Sequence, residues 1–70
     1  MNTLDRAEIR LNRAHARKSE AFDEVSRIRS EIAKECDDRK IRSLIGDLDV
    51  WNDKFNETLR EIEIIESILS

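Results

Sequence analysis

From Leu4 to Leu69 the apolar residues recur every three or four positions, and the recurrence loses phase once, across Asp37-Asp38-Arg39-Lys40. With Leu4 as heptad position a, the a and d positions of the first run are Leu4, Ala7, Leu11, Ala14, Lys18, Ala21, Val25, Ile28, Ile32 and Glu35. The second run restarts with Ile41 as a and reads Ile41, Leu44, Leu48, Trp51, Phe55, Thr58, Ile62, Ile65 and Leu69. Alternating spacings of three and four place these residues on one stripe of a helix, the pattern of a coiled coil. No proline interrupts either run. The pattern therefore predicts an all-α chain of two long helices, the first over about 3–35 and the second over about 39–69, each roughly 45 Å long at 1.5 Å per residue. Asn2 or Thr3 is the expected cap of the first helix and Asp37 or Asp38 of the second.

One continuous helix would satisfy the same periodicity, but three features favour an antiparallel two-helix coiled-coil hairpin with its turn near residues 36–39. The runs are nearly equal in length, the phase breaks between them, and the ends carry complementary charge. Arg6, Arg10, Arg13, Arg17 and Lys18 outnumber Asp5 and Glu8 at the start, while Glu57, Glu61, Glu63 and Glu66 outnumber Arg60 at the end. A turn near Asp38 pairs seam residues whose numbers sum to 76: Ile32–Leu44, Ile28–Leu48, Val25–Trp51, Ala21–Phe55, Lys18–Thr58, Ala14–Ile62, Leu11–Ile65 and Ala7–Leu69. Alanines of the first helix thus face large residues of the second, as interdigitating helices require. Lys18–Thr58 is the one polar layer, with Lys18 expected to reach toward Glu57 or Glu61. Gly46 falls inside the second helix; it is read as an exposed, tolerated glycine, with a helix break or a close partner approach as alternatives.

The positions beside the seam differ between its two sides. On the g side Arg17 faces Glu61 and Glu24 faces Lys54, both opposite in sign, whereas Glu31 meets Asp47. The e side holds Glu8, His15, Phe22, Arg29 and Cys36 against Ile45, Asn52, Leu59 and Glu66. Phe22, Ile45 and Leu59 are large apolar residues that a two-helix seam does not use, and Ile9, Val50, Ile64 and Ile68 also lie outside it. Contiguous apolar surface marks interaction sites. The expected partner-binding residues are therefore Phe22, Ile45, Leu59, Ile64 and Ile68.

Composition agrees with that emphasis on partners. Of the 70 residues, 41% are charged and 4% aromatic. A single domain this short is marginal on its own core and needs a staple or a partner. Cys36 is the only cysteine, so no disulfide serves, and a lone thiol fits a reducing compartment, the cytoplasm. No apolar run reaches membrane-spanning length. Met1-Asn2-Thr3-Leu4-Asp5-Arg6 is not the beginning expected of a secretory signal. The net charge of −3 argues against nucleic acid and anionic membranes as default partners.

Candidate chemistry is sparse. His15 and Cys36 stand 21 residues apart and do not meet within one hairpin. No second histidine and no glycine-rich phosphate loop exist, and the carboxylates are spread over helical faces. The expectation is a non-enzymatic protein with no catalytic, metal or cofactor site. Arg6, Arg10, Arg13 and Arg17, spaced 4, 3 and 4, form a stripe that fits polyanion phosphates, so a small RNA- or DNA-binding hairpin is one alternative. A self-associating four-helix homodimer with a structural or regulatory role is another.

Val50-Trp51, followed by Ile62-Glu63-Ile64-Ile65, resembles the second helix of the small E-type co-chaperones of bacterial type III secretion. The likeness spans about 20 residues; the first helix matches in layout only. The resemblance implies a cytoplasmic helical hairpin without enzymatic activity. Such a protein binds a tetratricopeptide-type partner chaperone and helps to keep the secreted needle subunit unpolymerised.

Overall fold

A computed structural model describes residues 3–70 as two helices and no strand, α1 over Thr3–Lys34 and α2 over Asp38–Leu69. The chain folds back on itself into an antiparallel hairpin of 53 × 16 × 14 Å. A single continuous helix of this length would reach about 100 Å.

The turn is Glu35-Cys36-Asp37, beginning one residue before the turn expected near 36–39. It contains no glycine, and no described residue has a positive φ. Side-chain oxygens do the work instead. One carboxylate oxygen of Glu35 accepts from the backbone N–H groups of Cys36 and Asp37, both at 3.1 Å. Asp37 sits at φ −87°, ψ 116°, and its carboxylate accepts from Arg39 N at 2.9 Å, which caps the first turn of α2. The predicted cap at Asn2 or Thr3 lies outside the described residues and side chains. α2 runs through Gly46 without a break, and a Cβ placed there meets nothing within 4 Å. That glycine is a tolerated surface residue.

Every predicted seam position from Ala7 to Leu69 is buried or half-buried; Leu4, 54% exposed, lies beyond the packed region. Ala7, Ala14, Ile62 and Ile65 form a core cluster with Leu11 and Leu69 packed against it, which contains three of the predicted layers. Ala21, Val25 and Ile28 continue the buried stripe of α1 toward the turn. Opposite them, Leu44, Leu48, Trp51 and Phe55 are only half-buried, as is Ile32. Two helices meet along a line, and side chains this large extend past it. In the polar layer Thr58 is buried, and its hydroxyl donates to the carbonyl of Lys54 at 2.8 Å. Lys18 is half-buried and makes no ion pair with Glu57 or Glu61; Arg17 holds Glu61 instead.

Candidate protein-binding surfaces

The g flank binds charge to charge. Arg17 reaches across the seam with one guanidinium nitrogen to both carboxylate oxygens of Glu61, at 2.9 and 3.0 Å. The pair is the one expected from the register, and it ties together positions 44 apart. Glu24 does not reach Lys54. Arg27, three residues on along α1, takes Glu24 at 2.7 Å and Glu31 at 2.6 Å. Neighbours three and four apart on one helix meet at lower conformational cost than partners on another helix. Arg27 also removes the expected Glu31–Asp47 conflict by giving Glu31 a cation of its own. Its guanidinium is held protonated still more firmly than usual, first by the hydrogen bond it donates to Glu24 and then by the one it donates to Glu31. Lys54, left without Glu24, lies over the Trp51 ring with Nζ 4.4 Å from the centroid.

The e flank is apolar and incompletely covered. Phe22 is 58% exposed and lies beside Phe55, with ring centroids 6.3 Å apart and planes tilted by 47°. Val25, Arg29 and Asn52 complete a shallow cleft of about 140 Å³ beside the two rings. One heptad toward the turn lies Ile45, 45% exposed; one heptad toward the open ends lies Leu59, half-buried. Each heptad step is about 10 Å of helix, so Ile45, Asn52 and Leu59 form a row about 20 Å long with Phe22 at its middle.

Ile64 and Ile68 do not join that row. They are 62% and 50% exposed, at heptad positions c and g of α2. At 3.5 residues per turn, position c lies roughly 150° around the helix from position e. Val50 shares position c with Ile64, so the residues of the Val-Trp and Ile-x-Ile-Ile segments divide. Trp51, Ile62 and Ile65 sit in the seam, while Val50 and Ile64 face outward. The five expected partner-binding residues thus lie on two faces. One is the e flank with Phe22, Ile45 and Leu59. The other is the outer face of the C-terminal half, with Ile64 and Ile68. Asn52, half-buried at the centre of the e flank, was not singled out by sequence; its place opposite Phe22 in the register was the available signal.

The arginine stripe splits as well. Arg17 is spent on Glu61, whereas Arg6, Arg10 and Arg13 are exposed and form no ion pair among the described residues. The acidic end meets the stripe only at Glu61, because Glu63 and Glu66 occupy heptad positions b and e, away from it. Beside Arg10, Arg13 and Arg17 lies an open groove that reaches Glu61. His15 is exposed at position e of α1, and Cys36 is exposed in the turn, about 30 Å away along the hairpin. Among the described residues no three His, Cys, Asp or Glu side chains cluster to hold a metal ion, and no helix is long and apolar enough to cross a membrane. No protein-family profile, no curated protein and no solved structure matches the chain.

Proposed function

We propose that this chain is a non-enzymatic helical-hairpin adaptor that docks helical partners on the apolar side chains its own seam leaves uncovered. The observation that carries the reading is the exposure of Phe22, Ile45, Ile64 and Ile68 on a hairpin whose seam is already closed. A surface of this kind loses water only against another apolar surface, and an amphipathic helix presents one at matching spacing. The most concrete form is a cytoplasmic co-chaperone of type III secretion. It would bind a tetratricopeptide-type chaperone and help to hold the needle subunit soluble. Support for that form is the Val50-Trp51 and Ile62-Glu63-Ile64-Ile65 resemblance, whose outward-facing members, Val50 and Ile64, share one face.

Titration calorimetry against a tetratricopeptide-type needle chaperone tests the proposal. Binding by the wild-type chain is expected, with loss in Leu59→Asp or in the double variant Ile64→Asp, Ile68→Asp, depending on which face is used. Unchanged binding in both variants would overturn the docking reading; no binding by the wild type would overturn the secretion form. A polyanion-binding role is favoured only by exposed Arg6, Arg10 and Arg13, which form no ion pair among the described residues. Replacing these three by Glu removes RNA retention in a filter assay if that role is real and leaves protein docking intact.

A further inference from the structure

We propose that the isolated chain closes its e flank with a second copy of itself, the turn of one hairpin lying toward the open ends of the other. The two-fold axis passes through the level of Phe22 and Asn52, and the product is an antiparallel four-helix bundle. The inference rests on the reading that the uncovered apolar side chains are docking surface; it names the occupant of one of the two faces.

Area is the first reason. The chain exposes 5487 Å². A compact monomer of its 8.2 kDa mass would expose about 4,500 Å². The excess of about 1,000 Å² is close to the roughly 800 Å² that each partner buries in an interface of standard size. One hairpin docked on another brings the surface per chain to the compact value.

Self-complementarity is the second. In a two-fold interface, if residue i meets j, then j meets i. An axis at the Phe22 and Asn52 level puts Phe22 against Phe22 and Asn52 against Asn52 of the second copy. It puts Ile45 against the second copy's Leu59, and Leu59 against its Ile45, because each lies one heptad from Asn52 on either side. At the rim, exposed Arg42 comes level with Glu63 of the second copy. The apolar residues of the row all find apolar partners, and the one amide at its centre finds an amide. A single buried Asn pair is a known means of fixing helix register. The parallel arrangement does the opposite. It sets Ile45 against Arg29, Leu59 against His15 and Phe22 against Asn52, and it gathers Glu8 and Glu66 of both copies at one end.

Disulfide trapping and mass measurement test the proposal together. In a Cys36→Ser background, Asn52→Cys places two thiols beside the axis, within the 4.4–6.8 Å Cα separation a disulfide spans. Mild oxidation should convert that chain to a covalent dimer while the Asp53→Cys control, on the outer face, stays uncoupled. Light scattering should give the wild type twice its 8.2 kDa chain mass. Leu59→Asp should return it to the single-chain mass with helical circular dichroism retained; Phe22→Ser, at a more exposed site, replaces it if Leu59→Asp unfolds. A wild type that is monomeric at every concentration overturns the proposal. So does a dimer that couples through native Cys36 rather than through Asn52→Cys, since only a parallel pair brings the turns together. A monomeric wild type whose helical-partner binding is lost in Leu59→Asp overturns the second copy but leaves the docking reading standing. Partner binding that survives changes on both faces overturns the docking reading itself.

Discussion

Along the middle of the g flank, between exposed Arg10 and Ile68 at the open ends and Asp47 near the turn, charged side chains find partners within the chain: Arg17 with Glu61, Arg27 with Glu24 and Glu31, and Lys54 with the face of Trp51. Along the e flank, Phe22 finds only the tilted ring of Phe55, and Ile45 finds open solvent. Both flanks border the same seam and share its register. The difference is one of saturation. A charged flank is satisfied by water and by neighbours on its own helix, so it asks nothing of a partner and contributes little when paired. An apolar flank gains only when water leaves it, at about 25 cal/mol per Å². In a two-helix protein the flank chemistry therefore decides where the molecule stops and where it continues into something else.

Four substitutions test this contrast. The largest effect belongs to neither flank. Ile65→Ala empties a fully buried seam position and should cost about 2–5 kcal/mol by urea denaturation. A loss below 1 kcal/mol would mean that the seam is not the core from which the flanks are defined. Phe22→Ala on the e flank removes a tilted ring pair, about 0.5–1.5 kcal/mol within the hairpin. Its larger signature is a fall in the apparent mass at fixed concentration. Gly46→Ala faces open space away from both flanks and should stabilise α2 by about 1 kcal/mol. Because it touches neither flank, its gain should not vary with protein concentration. Arg17→Ala on the g flank should cost less than about 1 kcal/mol. The cost should fade in high salt, which screens an exposed pair. A salt-independent loss would show that the g flank also packs.

Much of this contrast is legible in the sequence, and the reason lies in what a heptad specifies. Position in the repeat determines which residues face the other helix, so the seam, the antiparallel register and the Arg17–Glu61 pair follow from spacing. Position does not determine which of several neighbours a long side chain chooses. Glu24 stands opposite Lys54 by register, yet Arg27 on its own helix reaches it first. The same limit hid the Phe22–Phe55 contact, since the period places Phe22 outside the seam and says nothing of how its ring leans. It hid the split between Phe22, Ile45 and Leu59 on one face and Ile64 and Ile68 on another less completely, because angular position can be counted from the numbering. The turn was displaced by one residue because Glu35, assigned to the seam by phase, folds its carboxylate over the backbone of Cys36 and Asp37 instead. What would cover each face is a property of a second molecule, and the periodicity of this chain bears on it only where that molecule is another copy.

Mass action supplies the most direct test, because a folded chain that docks on its own copy is stabilised by concentration and an unfolded one is not. The measurement is the urea midpoint of three chains, wild type, Leu59→Asp on the e flank and Glu61→Ala on the g flank, each at low and high protein concentration. The midpoint should rise with concentration for the wild type and for Glu61→Ala, and stay flat for Leu59→Asp. A flat wild-type midpoint, or a rise that Leu59→Asp leaves intact, would contradict docking of the e flank on a second copy.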